Sequence, residues 1–189
     1  MRTLLRLSAM IDGGIAAIGH AVSWLVLAAV LVSAGNAAIR KALDISSNAW
    51  LEAQWYLFSA VFLLAAGYTL QHDQHIRIDV VSSRLPKPVR DWIDLLGHCL
   101  MLMPFALLMV YHAVPFFLTS WRHNEASFSA GGLPVWPAKG LVVAGFALLA
   151  LQGVSEIIKR IAIMRGLMPE AQRRGAVAAA EANMQENRP

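Results

Sequence analysis

The chain has 189 residues, of which 57% are hydrophobic and 15% are charged, and its mean hydropathy is +0.52. A soluble domain carries about a quarter of charged residues, so this composition excludes an ordinary water-soluble globular protein. The formal net charge is +4 at pH 7. No basic patch is interleaved with aromatic residues, so we expect no nucleic acid among the partners.

Four apolar segments follow one another along the chain. A bilayer core of about 30 Å needs about 20 helical residues at a rise of 1.5 Å each. We therefore predict an all-α integral membrane protein whose four transmembrane helices occupy residues 13–39, 50–70, 92–118 and 138–160. The apolar core of a signal peptide is only about 7–15 residues long, so we interpret the longer first segment as a retained helix.

The basic residues are divided unevenly between the two sides of the predicted membrane domain. With the N-terminus inside, 12 of the 16 lysines and arginines fall on the cytoplasmic side and 4 fall outside. The positive-inside rule therefore places both termini in the cytoplasm. The Ala-rich polar tail, residues 169–189, follows the membrane domain and is predicted to be a frayed helix or disordered.

The loop between the second and third spans is the most polar stretch of the chain and faces the cytoplasm. Ile78, Val81 and Leu85 recur at helical spacing, which predicts a short helix in the inner interface. Asp91 and Asp94 are placed to favour the dipole of the next helix. The loop begins with two histidines and two aspartates that could bind a metal: His72, Asp73, His75 and Asp79. Zinc sites usually have four nitrogen or sulfur ligands, and no second cluster exists, so we predict no metal site.

Ionisable residues within the predicted spans offer a different hypothesis. His20 and His98 enter the membrane from the same side and could lie at similar depth, and two facing imidazoles in a helical bundle can hold a b-type haem. An electron-transfer subunit that binds haem b through these two histidines is therefore an alternative. His112 has no partner at its depth. No catalytic constellation can be placed within the spans, so we predict that the chain is not an enzyme.

Two stretches carry an ordered series of residues typical of one family. The first half holds Asn36, Arg40, Trp50, Glu52, Gly67, His75, Ile76, Ile78 and Asp79, and the later part holds Glu125, Ser127, Pro134, Trp136 and Gln152. From about residue 10 to 160 the chain resembles the small, DctQ-like membrane subunit of tripartite ATP-independent periplasmic (TRAP) transporters. Members often carry two acidic residues after the tryptophan, whereas here Ala53 follows Glu52, so this chain lacks the second carboxylate.

The resemblance implies a secondary transporter in the bacterial inner membrane. A periplasmic binding protein would deliver an organic acid, and a large membrane subunit would carry the substrate and use a sodium gradient. This chain would scaffold that subunit and need no cofactor of its own. The resemblance also implies contact residues for the large subunit: Asn36, Arg40, Trp50, Glu52, His75, Arg77, Asp79 and Glu125. A free-standing membrane scaffold is a third hypothesis.

Overall fold

The computed structural model describes residues 2–44, 47–72 and 86–168. It comprises α1 (Arg2–Leu43), α2 (Asn48–Gln71), α3 (Lys87–Leu96), a π-helical segment (Gly97–Leu102), α4 (Met103–Arg122) and α5 (Trp136–Met164). The stretch from Lys87 to Arg122 is continuous, so the described residues include four helices that are long and apolar enough to cross a membrane. The predicted all-α, four-span fold is confirmed. The predicted interfacial helix and the tail lie outside the described residues.

The first helix is longer than the span predicted for it. Its 42 residues measure about 63 Å at 1.5 Å each, whereas a bilayer with its headgroup regions is about 40–45 Å thick. At the other end of the chain, α5 ends at Met164, and Gly166, just after the C-cap residue, has a φ of 68°, in the left-handed region. The N–H of Gly166 donates to the carbonyl of Ile163 at 2.9 Å, and that of Leu167 to the carbonyl of Ala162 at 2.9 Å, which is a Schellman cap.

The last helix lies at the centre of the molecule. α1, α2 and α4 all pack against α5, and α1 also packs against α2. In the most apolar stretch of each span, 33% of the residues of α5 are buried, against 6% in the span that contains α4. The third span is therefore peripheral and relies mainly on α5, so the four helices do not form a closed bundle.

Small residues allow the central helices to approach closely. A Cβ atom on Gly145 of α5 would lie 2.7 Å from the Cβ atom and 2.8 Å from the carbonyl oxygen of Leu63 on α2. A Cβ atom on Gly19 of α1 would lie 2.3 Å from the ring of Tyr68 on α2. Without a hydrophobic driving force between helices in lipid, such close contact is a main source of packing energy.

The π-helical segment aligns the two halves of the third span. Successive residues of an α-helix are rotated by about 100°, so Asp94 and Ala106 would differ by about 120° in a regular helix. The extra residue of a π-bulge reduces this difference to about 20°. As a result Asp94, which binds Arg160 of α5, and Ala106, which is fully buried, lie on the same face of the third span.

Candidate functional site

The first polar cluster surrounds the loop between α4 and α5, at the end of the helices that the distribution of basic residues predicts to face outward. We call this end the outer end. Glu52, the fifth residue of α2, accepts hydrogen bonds from the hydroxyl of Ser127 and from the backbone N–H of Leu133, the latter at 2.6 Å. Ser127 and Leu133 face each other because the N–H of Ser127 donates to the carbonyl of Leu133 at 3.0 Å. One carboxylate thus fastens both sides of the loop to α2.

Three further contacts fix the same loop. The amide of Asn48 donates to the carbonyl of Ala130 and the hydroxyl of Tyr56 donates to that of Pro134, both at 3.0 Å. The turn depends on Gly131, whose φ is 71°, a conformation that side chains disfavour. The loop is therefore held against the outer end of α2 by side chains from three positions of that helix.

An ion pair ties the loop to α5 as well. The ammonium of Lys139 binds the carboxylate of Glu125 and lies 4.0 Å from the ring centroid of Phe116. This ammonium holds the pKa of Glu125 below its usual value. The pair is therefore ionised at neutral pH, and its stabilising contribution is lost only as the pH falls through that lowered pKa.

The predicted contact residues are not all used in the same way. On α1, Asn36 is half-buried and Arg40 is exposed, and Trp50 is 47% exposed at the start of α2. Glu52 and Glu125 serve the outer loop of this chain, and within the described residues no ion pair joins Arg40 to Glu52. Three others, His75, Arg77 and Asp79, lie outside the described residues. Contact of all eight with a partner stays a prediction.

A second polar cluster joins α1 to α5 at the opposite end of the helices, which is predicted to face the cytoplasm and which we call the inner end. Asp12 of α1 accepts hydrogen bonds from Ser155 at 2.7 Å and from Gln152 at 3.0 Å. The ammonium of Lys159 lies 2.9 Å from the other oxygen of Asp12 and 2.5 Å from the carboxylate of Glu156. Ser8 adds a hydroxyl contact to Ser155 at 2.7 Å. We call this group the Asp12–Lys159 cluster.

Next to it, Arg160 joins α3 to α5. Its guanidinium lies 2.9 Å from Asp91 and 2.5 Å from Asp94, and the side chains of Arg160 and Asp91 are 3% and 7% exposed. Asp91 and Asp94 are thus more than partners of a helix dipole, because both engage a buried cation. Removing one partner of such a buried pair leaves an uncompensated charge.

The sequence analysis missed both inner clusters. The signal was available, because the polar residues of α5 fall on one helical stripe: Gln152, Ser155, Glu156, Lys159 and Arg160. Their spacings of three and four residues place them on one face, and all five are buried. Polar residues on one face of a membrane helix indicate a protein-facing surface.

Comparison with known families identifies the family of this chain. Residues 29–163 match the model for "Tripartite ATP-independent periplasmic transporters, DctQ component", which covers most of the chain and includes α2, α4 and the outer loop. The chain belongs to the DctQ family. It is therefore a small TRAP transporter subunit and a multi-pass membrane protein, and not an enzyme. Nothing supports the alternative of a haem held by His20 and His98. Comparison with curated proteins and with solved structures found no match.

The hydrogen bonds of Glu52 can be tested by one isosteric change. A charged acceptor holds an N–H more strongly than a neutral one does, and in Glu52→Gln the amide nitrogen also competes with the N–H of Leu133. We expect the backbone amide of Leu133 to exchange with deuterium about fivefold faster. Asp44→Asn, which removes a charge from the exposed end of α1, is the control. Equal protection of Leu133 in both variants would show that Glu52 does not hold the loop.

Proposed function

We propose that this subunit is a static brace for the large TRAP membrane subunit during the uptake of an organic acid. The observation that carries the proposal is the fastening of the helices at both ends. At the outer end, Glu52 and Lys139 tie the loop to α2 and α5, and at the inner end Asp12 and Arg160 tie α1 and α3 to α5. Such a unit resists internal motion and suits a support against which another subunit moves.

In this proposal the subunits divide the work between them. The large subunit carries the substrate and uses a sodium gradient, and a periplasmic binding protein delivers the organic acid. This chain supplies rigidity and a docking surface and uses no cofactor. Within the described residues, no group of three or more His, Cys, Asp or Glu side chains could hold a metal ion. Arg40 and Trp50, both exposed at the outer end, are the contact residues that the structure leaves accessible.

The proposal includes a location in the bacterial inner membrane with both termini in the cytoplasm. The 12-to-4 distribution of basic residues supports this orientation. We expect an impermeant thiol reagent applied to intact spheroplasts to label Ala130→Cys in the outer loop but not Ser83→Cys, in a Cys99→Ser background. Labelling of Ser83→Cys alone would invert the assignment of every loop.

The docking role can be tested by comparing two neighbouring basic residues at the end of α1. Arg40 and Lys41 are both exposed in the last turn of α1, so they carry the same charge in different directions. An exposed ion pair is worth about 0–1 kcal/mol and removal of one partner of a buried pair costs about 3–5 kcal/mol. For Arg40 at a protein-facing rim, we expect its removal to cost a binding free energy between these limits, which corresponds to about a tenfold weaker complex.

The measurement is the amount of large subunit that co-purifies with the tagged chain in mild detergent. Arg40→Ala should reduce both this recovery and uptake, whereas Lys41→Ala should leave both near the wild-type level. The affinity of the soluble binding protein for substrate should not change in either variant. Equal recovery of the complex in the two variants would remove Arg40 from the docking surface.

A further inference from the structure

The side of α4 that faces away from α5 carries polar groups at a depth where lipid offers no partners. Tyr111 is 74% exposed and His112 is also exposed. Their rings make a T-shaped contact at 5.2 Å, and no hydrogen bond joins either side chain to another described residue. His112 lies nine residues before Trp121, which is about 14 Å along the helix. With Trp121 in the interfacial aromatic belt, His112 is within the hydrocarbon core.

The exposure of His112 distinguishes it from the other histidines within the spans. His20 is half-buried against the ring of Tyr68 at 5.7 Å, and His98 is half-buried with its Nδ1 atom 2.6 Å from the carbonyl oxygen of Asp94. Ionisable residues within membrane helices almost always face other protein or a water-filled cavity, because hydrocarbon solvates them poorly. An outward-facing His112 therefore indicates that protein covers this side of α4.

A backbone feature at the same place supports this interpretation. Pro115, which is exposed one turn after Tyr111, has no N–H, so the regular helical hydrogen bond to the carbonyl of Tyr111 is missing. Membrane helices tolerate proline where neighbouring helices or other groups satisfy the freed carbonyl. An imidazole, a phenol and a freed carbonyl thus fall within about one turn of the same helix.

We propose that a transmembrane helix of the large TRAP subunit lies along this face of α4 and hydrogen-bonds to His112. The face consists of four residues of α4 whose side chains are exposed on the side away from the buried Ala106 and Ala113: Leu108, Tyr111, His112 and Pro115. Its exposed apolar side chains supply packing surface, and its polar groups require a partner that can donate and accept hydrogen bonds. Acyl chains can neither donate nor accept hydrogen bonds, whereas a helix of the large TRAP membrane subunit can do both. The inference rests on the proposed function and adds the docking surface.

The first test compares substitutions of two histidines. Hydrogen bonds between membrane helices correspond to about a three- to tenfold change in association. We expect His112→Leu to lower the recovery of the large subunit by this factor, and His112→Gln to restore at least half of it. His123→Leu, at an exposed position beyond the end of α4, is the matched control and should have no effect.

The thermal stability of the isolated subunit separates docking from a structural role. A leucine is better solvated than a histidine by detergent or lipid, so His112→Leu should leave the melting temperature of the isolated chain unchanged or raise it. A fall in complex recovery without a fall in this temperature assigns His112 to the interface. Unchanged recovery in His112→Leu would mean that lipid covers the face.

The second test is photo-cross-linking of the intact complex. A benzophenone amino acid replaces Leu108 on the proposed face or, as the reference, Leu31 on α1, which is exposed to 63%. We expect the product that contains the large subunit to form in higher yield from position 108. A yield at position 108 no higher than at position 31, or a cross-linked product of two copies of this chain, would overturn the inference. The proposed function would still stand in that case, because the large subunit would still co-purify with this chain. Loss of co-purification in the wild type would instead overturn the proposed function.

Discussion

Replacing Arg160 with leucine is expected to loosen the inner end of α3 from α5. Asp91, whose side chain is 7% exposed, and Asp94 would both lose the guanidinium that they contact. Stranding a buried charge costs about 3–5 kcal/mol. In a chain of this size each kcal/mol lowers the melting temperature by about 2–4 °C. We therefore expect Arg160→Leu to lower the midpoint of thermal unfolding in detergent by roughly 10 °C.

Two further variants show whether charge is the cause. Arg165→Leu changes an exposed arginine just after α5 and should shift the midpoint by no more than about 2 °C. Combining Arg160→Leu with Asp91→Asn and Asp94→Asn removes the stranded charges and should recover at least half of the loss. A single variant as stable as wild type would mean that α3 is held by apolar packing alone.

Lys159→Leu is the second change with a large expected effect, because it removes the cation at the centre of the Asp12–Lys159 cluster. Its ammonium contacts Asp12 at 2.9 Å and Glu156 at 2.5 Å, and Glu156 is 3% exposed. The two carboxylates would then repel each other in a poorly solvated environment. We expect a loss of about 3–5 kcal/mol and faster deuterium exchange in the first turns of α1.

Two controls accompany Lys159→Leu. One removes a charge at the other end of α1, and the other removes a second charge within the same cluster. Lys41→Leu removes an exposed lysine and should leave exchange in the first turns of α1 unchanged. Adding Asp12→Asn to Lys159→Leu should restore part of the stability, because Ser155 and Gln152 still hydrogen-bond to the amide oxygen. If the double variant were no more stable than the single one, the loss in Lys159→Leu would not come from the charge of Asp12 left without its cation.

The four helices could be predicted from hydropathy because the bilayer imposes their length and composition. The same argument could not show that α5 is central and α4 peripheral, because both are similarly apolar and hydropathy does not name neighbours. Asp12 and Lys159 are 147 residues apart in the chain, and only the packing of α1 on α5 brings them together. The regular spacing of polar residues on α5 was the available clue.

The residues at the outer end show that the sequence did not distinguish contacts within this chain from contacts with a partner. Glu52 and Glu125 were predicted as contacts with a partner, and the structure shows both bound to other parts of this chain. A family pattern indicates that a carboxylate belongs at a position but does not distinguish a bond within the subunit from one to a neighbour. For Glu52, the decisive feature was the fold of the outer loop, which brings the N–H of Leu133 and the hydroxyl of Ser127 to the same carboxylate.

The bracing role is tested most directly by the stability of the large subunit with and without this chain. The large TRAP membrane subunit of the same organism is produced alone or together with this chain, and its melting temperature is measured in the same mild detergent. A brace that binds the folded large subunit must raise this temperature by mass action, and we predict a rise that His112→Leu diminishes. An identical melting temperature and recovery of the large subunit in both preparations would contradict the account.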